Sequence, residues 1–457
     1  MRNNFLSFFV LVLFVISFSA TANAETFYAY LNGAQEVPPA ATTATGFARV
    51  VVNESAGTLT FTVVFNGLSS NQTASHIHAP AAIGANTGVA ITLGAVGGTS
   101  GTITGSTTIT PTQLAQIRQH LGYVNVHTTN FGGGEIRGQL GIKRPVDFDG
   151  DGRQDYSVLK FPTGPPSPIQ YWNLNSTTGI QVGALWGDAQ TDFPVPGDYD
   201  GDGKDDLAIY RAGATVGAQS FFWIFRSGSN TALAVAYGLN GDQAQCRDFD
   251  GDGITDYAIF RHGAGPGDPA YWWILQSTIN NDRVHQFGTT GDNVTSGDTP
   301  VSGDYDGDGK FDLAVYRFGG LVPDNTYIVR QSSNGAVVFT RWGNFQTDYI
   351  VPGDYDGDGK YDYAVARTGA VATSTVFWWI INSSNGSIRV QGFGISSDLP
   401  AQGDYDGDAR TDIAMYRRGA VATSTSSFWV FRSFDNTASQ TVWGLRPDFP
   451  IATFDAR

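Results

Sequence analysis

The sequence predicts an all-β protein, and three observations carry the prediction. The chain of 457 residues holds 57 Gly and 13% aromatic residues but only 15% charged ones, a balance that suits short strands joined by many turns. No long stretch beyond the N-terminus shows helical periodicity; the one short candidate is PTQLAQIRQH, Pro111–His120, with Pro at its start. An Asp-rich segment recurs six times, at intervals of 51, 50, 56, 50 and 50 residues. Each unit has room for about four short strands, the size of one propeller blade. The expected architecture is a β-sandwich-like module over 25–142 followed by a β-propeller over 143–457, with six blades or alternatively seven.

The chain starts with MRNNFLSFFVLVLFVISFSATANA. Arg2, the apolar run Phe5–Phe18 and the small residues of Ala22-Asn23-Ala24 fit a secretory signal peptide over 1–24, cut before Glu25. The run is shorter than the ~20 residues that span a bilayer. The mature chain is therefore expected to be secreted, at the cell surface or periplasmic, with no membrane span after cleavage. A formal charge of −15 and a pI near 4.6 argue against nucleic acid and anionic membranes as partners. Cys246 is the single cysteine, so no internal disulfide can brace an exported fold; bound metal is the natural substitute.

The N-terminal module lacks Trp and Cys and holds His76, His78, His120 and His127. GFARVVVNESAGTLTFTVVF, Gly46–Phe65, reads as a hairpin turning near Asn53–Gly57. Further strands are expected at SHIHA, TGSTTIT and YVNVHT. His76 and His78 share a strand face, and His127 has the same outlook on another strand, so the three could hold Cu or Zn. The default alternative is that they are exposed or hydrogen-bonded polar residues on a half-buried sheet. Glu135 and Arg137, on one face across Ile136, read as an ion pair. The patterns LNGAQEVPP (Leu31–Pro39), HIHAP (His76–Pro80) and YVNVHTTNFGGGEIRGQL (Tyr123–Leu140) together resemble the CHRD domain. That resemblance implies an all-β, sandwich-like module. The His-x-His pair is also loosely similar to copper/zinc superoxide dismutase, although the disulfide and zinc loop of that family are missing. The join, Lys143-Arg144-Pro145, is short enough to hold the modules close.

The Asp loops are DFDGDGRQD, DYDGDGKDD, DFDGDGITD, DYDGDGKFD, DYDGDGKYD and DYDGDARTD. Carboxylates fall at positions one, three, five and nine. These are Asp147, Asp149, Asp151 and Asp155; Asp198, Asp200, Asp202 and Asp206; Asp248, Asp250, Asp252 and Asp256; Asp304, Asp306, Asp308 and Asp312; Asp354, Asp356, Asp358 and Asp362; and Asp404, Asp406, Asp408 and Asp412. Four aspartates, the position-seven carbonyl and a water would meet the 6–8 oxygens that Ca²⁺ requires. Glycine at position six permits the tight turn. The layout is EF-hand-like, but position twelve is apolar and the flanks are strands. About six Ca²⁺ per chain are expected, with Mg²⁺ less suited. Position six of the last loop is Ala409. If that position needs positive φ, Ala costs ~1 kcal/mol or more, so the Asp404 site is expected to be the weakest.

Each loop is followed by an aromatic run, such as Phe221-Phe222-Trp223 or Tyr271-Trp272-Trp273, and then by an aromatic-Gly pair such as Trp186-Gly187. The rings could pack between blades or present a surface for stacking on sugars. DFPIATFD, Asp448–Asp455, repeats the strand that leads into each loop but has no loop after it, and is expected to close the ring. From about Pro145 onward the units resemble FG-GAP/VCBS repeats, as in the integrin α-chain propeller. The resemblance implies Ca²⁺ between the first two strands of each blade.

No nucleophile elbow, zinc-protease helix motif, P-loop or paired-Cys motif occurs. The expected function is a non-catalytic, exported calcium-binding protein acting in binding or adhesion, monomeric, with an extracellular protein or glycan as partner. The alternatives are a glycan-binding lectin and a metal-dependent enzyme using the N-terminal histidines.

Overall fold

The computed structural model describes residues 24–141 and 146–452, apart from 165–166, 177, 278–281, 292–296, 320–324 and 345–346. The expected leader up to Asn23, the Lys143-Arg144-Pro145 join and the end of DFPIATFD lie outside the described residues.

Eight strands build the first module: β1 Ala24–Asn32, β2 Thr45–Asn53, β3 Thr58–Asn66, β4 Gln72–His78, β5 Val89–Thr92, β6 Gly101–Thr108, β7 Tyr123–Thr128 and β8 Ile136–Gln139. The hairpin β2–β3 turns where the sequence indicated. On β3, Leu59, Phe61, Val63 and Phe65 point inward and the residues between them outward, the period of a half-buried strand. A helix, α1 (Pro111–Arg118), starts at a capping box: Gln113 N–H donates to Thr110 Oγ1, and Thr110 N–H donates back to Gln113 Oε1. All eight strands belong to one sheet, in the order β5-β4-β7-β8-β1-β2-β3-β6. Val50 and Phe61 from one half share a core with Ile77, Val126 and Ile136 from the other. The sheet therefore wraps over itself. It is sandwich-like in layering, but its halves stay hydrogen-bonded through β1 and β8.

Six four-stranded sheets follow, one per blade, and settle the count at six. Each sheet starts one strand earlier than the sequence repeat. In the second blade the inner strand Asp192–Pro194 precedes the Asp loop, and Leu207–Arg211, Gln219–Arg226 and Thr231–Leu239 follow it outward. The first blade has no inner strand of its own and borrows Phe449–Pro450, which pairs with Leu159 and Val158. The last strand thus closes the ring, as expected.

One aromatic residue per blade is fully buried at the same place: Tyr171, Phe222, Trp272, Tyr327, Trp378 and Phe428. Tyr171 and Tyr327 each donate a hydroxyl hydrogen bond to a carbonyl of the next blade, Ala208 O and Ala364 O. These rings pack between blades. Alternate rings, Trp223, Trp273, Trp379 and Trp429, lie on the other face beneath Arg211, Arg261, Arg367 and Arg417. Each of those arginines grips a carboxylate through two nitrogens: Asp192, Asp242, Asp348 and Asp398. The Asp loop opens the second strand of a blade and the Arg ends it, so loops and ion pairs lie on opposite ends of the propeller.

Candidate metal centres

The six Asp loops form a closed ring. The position-eight N–H of every loop donates to the position-one carbonyl of the loop before it: Asp205 to Asp147, Thr255 to Asp198, Phe311 to Asp248, Tyr361 to Asp304, Thr411 to Asp354 and Gln154 to Asp404, at 2.6–3.0 Å. Glycine at position four makes room for the next loop's position-seven side chain. A Cβ on Gly150 would meet Lys204 at 2.8 Å, and one on Gly407 would meet Arg153 at 2.8 Å.

Within a loop the aspartates do different work. Position one organises the turn: Asp198 accepts the N–H groups of Gly201 and Gly203. Position nine ties the loop to the adjacent hairpin, as Asp206 accepts Tyr199 N–H and Ser227 N–H. Position five takes the position-seven N–H and a serine hydroxyl, Ser227 to Asp202 in this blade. Position three is different. Oδ1 of Asp149, Asp200, Asp250, Asp306 and Asp356 is buried and has no hydrogen-bond partner among the described residues. In the first three loops one oxygen each from positions one, three and nine lie within 4.8 Å of one another; in the fourth loop positions one, three and five do. The sequence reading has all four aspartates of each loop as ligands; position five falls outside the three-residue group in the first three loops and position nine falls outside it in the fourth. Burial and neighbouring carboxylates push position nine up to about 8 at Asp155 and Asp362, and to about 7 at Asp206 and Asp312.

The last loop departs from the others. Ala409 sits at φ +68, in the region its glycine counterparts occupy, and its N–H still donates to Asp404 Oδ2. Asp406 Oδ1 accepts Asp408 N–H, and Arg410 pairs with Asp408 at 2.6 Å.

The first module sits on this ring. Thr26 Oγ1 donates to Asp252 O, and Gln35 Nε2 donates to Gly407 O. Arg153 lies over the Tyr30 ring at 4.4 Å. His120 Nδ1 lies 3.2 Å from Asp354 Oδ2, both side chains buried, so the fourth histidine serves the interface. Position six faces the module around the ring. A Cβ there would meet Phe47 at Gly152, Tyr28 at Gly203, Thr26 at Gly253, Glu25 at Gly309 and the Arg118 carbonyl at Gly359. At Gly253 and Gly359, where the approach would be 2.5 Å, glycine therefore serves both the turn and the seat.

The second cluster lies on the polar face of β4 and β7, opposite the apolar core. In the antiparallel register His76 faces Asn125 and His78 faces Tyr123, with His127 two residues further along β7. His76 Nδ1 is 3.0 Å from His127 Nε2, and all three histidines place a ring nitrogen within 4.8 Å of the others. Burial, and for His76 and His127 the neighbouring imidazoles, hold all three below the usual histidine range. The expected Glu135–Arg137 pair does not form. Glu135 takes hydrogen bonds from Thr42, Ser69 and Thr128, whereas Arg137 lies 3.4 Å over the Tyr123 ring and donates to Asn86 and Gln139. Glu135 thus turns to Thr42, Ser69 and Thr128, and Arg137 to the next strand and to Gln139 on its own.

Residues 27–140 match the CHRD domain family. The match covers the expected CHRD-like module and stops short of the propeller. A search of curated proteins finds no match. Among solved structures, a Bacteroides fragilis protein named as a 6-phosphogluconolactonase aligns at 12% identity over 65% of this chain and 95% of its own, with a TM-score of 0.34, too low to support an argument.

On the CHRD-like module, sequence reading missed Glu36. It is buried, burial pushes its carboxyl up to about 7, and Asn125 donates to it. It comes from the segment after β1, and nothing in its spacing links it to the histidines. The hairpin serines were also missed, though a signal existed: Ser176, Ser227, Ser277, Ser383 and Ser433 each follow position nine by 21 residues. Among the described residues no helix is long and apolar enough to cross a membrane.

Proposed function

We propose that the protein is an exported, calcium-braced scaffold for binding or adhesion, with one Ca²⁺ in each Asp loop. The observation that carries this reading is the buried position-three oxygen left without a donor in five of the six loops, beside carboxylates from the same loop. A buried acceptor without a partner is costly, and clustered carboxylates repel. A divalent cation held by hard oxygen ligands answers both. In the Asp200 loop it would be held by Asp198, Asp200 and Asp206, with the equivalent residues in the first and third loops and Asp304, Asp306 and Asp308 in the fourth. The ion neutralises the loop and pins the inner hairpin; the binding chemistry belongs to exposed surfaces elsewhere. FG-GAP/VCBS-type repeats supply the same reading by resemblance. Elemental mass spectrometry on the mature chain dialysed against calcium buffer is expected to give about six Ca per chain. Calcium near zero would sink the reading.

A glycan-binding form of this reading has one feature in its favour. The inner strands of the second, third and fourth blades, with Val146 and Ile451, line a cavity of about 570 Å³. Gln243, Gln245, Arg247 and Thr299 border it beside the half-exposed Phe193, a mixture of hydrogen-bonding groups and a ring that suits sugar hydroxyls and faces. Glycan-array binding that is lost in Arg247→Ala is the expected result. An empty array would leave a protein partner as the object of adhesion.

A further inference from the structure

We infer that His76, His78 and His127 form a site on the CHRD-like module for one copper or zinc ion, with three imidazole ligands and an open fourth position. The argument starts from hydrogen atoms. His78 Nδ1 lies 3.0 Å from Thr87 O, and His127 Nδ1 lies 3.1 Å from Gly132 O. A carbonyl can only accept, so both Nδ1 atoms carry the proton and both Nε2 atoms present lone pairs. His78 Nε2 is buried and has no partner, and His127 Nε2 points at His76 Nδ1. Each histidine places a ring nitrogen within 4.8 Å of the other two, a span that a single small cation bridges.

Backbone carbonyls that fix the tautomer and ring plane of histidine ligands are the usual outer support of metal sites. Here two of three rings have one. His78 is further held by stacking on Tyr123 at 4.9 Å and 2°, and Tyr123 is held from above by Arg137. The cluster is thus preorganised and does not need to assemble around the ion.

Donor chemistry selects the metal. Three neutral nitrogens with the Arg137 cation nearby offer nothing to Ca²⁺ or Mg²⁺, which require oxygen and negative charge. Imidazole suits zinc and copper. His78 and His127 are buried while His76 is partly exposed, which leaves one side of the site accessible to solvent. Asn125, which faces His76 across the strand pair, donates to Glu36.

The test uses the full mature chain saturated with calcium, so that the Asp loops cannot take the added ion. Titration with Zn²⁺ by calorimetry, and with Cu²⁺ by electron paramagnetic resonance, should each show one saturable equivalent. The copper spectrum should carry hyperfine structure from imidazole nitrogen. His78→Gln and His127→Gln should each remove that equivalent while calcium content and the thermal transition stay unchanged. A wild-type chain with no saturable equivalent, or a copper spectrum without nitrogen coupling, overturns the inference even if the variants fail to fold. So does an equivalent that survives in the triple His→Gln variant.

Discussion

The Asp loops and the histidine cluster both gather atoms of the kind that hold a metal ion, and they are built in opposite ways. Each Asp loop is local: its carboxylates come from nine consecutive residues, and their charge makes the folded loop costly without a cation. The histidine cluster is non-local: two strands 51 residues apart bring together neutral rings that repel little. Burial raises the aspartates and lowers the histidines, in each case disfavouring the charged form. On the proposed reading an acidic loop would depend on an ion for stability, whereas an imidazole site can stand ready without one. On that reading the difference separates a bracing metal from a working one, and each prediction below tests it.

The largest effect should come from removing calcium. At a hundredfold excess over Kd a bound ligand stabilises by about 2.7 kcal/mol per site, so stripping six sites should lower Tm by well over ten degrees, at about 2–4 °C per kcal/mol for domains of 150–250 residues. A chelator selective for transition metals, with calcium retained, should shift Tm by a few degrees at most. Calorimetry showing the reverse order would collapse the distinction.

Next comes pH. In the calcium-free chain the position-nine carboxyls are raised by burial to about 7 or 8 at Asp155, Asp206, Asp312 and Asp362. A raised carboxyl means that folding takes up protons. Its stabilising contribution is complete below the unfolded value of about 3.9 and is lost as pH rises through the folded value. Tm without calcium should thus fall from about pH 5 to about pH 9, and saturating calcium should abolish that fall. A flat calcium-free profile would show that these carboxyls are not buried together.

A single-loop lesion should be smaller. Asp206→Asn is expected to cost one calcium, five remaining by elemental analysis, and to leave zinc titration of the histidine cluster untouched. Loss of both metals would mean that the ring and the module seated on it respond as one unit.

The smallest effect should follow Ala409→Gly. Relief of a left-handed Ala is worth about 1 kcal/mol, or roughly 2–4 °C. The sixth site should then approach the others in a calcium titration. No gain would mean that the Arg410–Asp408 pair, rather than the backbone, limits that loop.

Much was legible in the chain because its information is local or periodic. The 50-residue repeat, the Asp spacing, the Thr110–Gln113 cap and the β2–β3 hairpin depend on neighbours along the sequence. So does the strained Ala409: an alanine among glycines at one repeat position marks itself. His76 and His78 were visible as a pair for the same reason, since alternate residues of a strand share a face.

What only the tertiary structure decided is every relation made by distant segments. Each blade begins one strand before its sequence repeat, because the inner strand pairs forward and the ring needs Phe449–Pro450 to finish the first sheet. Glycine at position six reads as a turn residue in the sequence; the fold adds that it makes room for the CHRD-like module. Glu36 meets Asn125, and His120 meets Asp354, through loops whose path no spacing reports. The sequence by itself determined the strands, the repeat and the acidic loops, since these follow from backbone preference and local charge. Closure at six blades, the seating of one module on the ring and the convergence of three imidazoles arose from packing between segments far apart in the chain, where buried area and register select the partner.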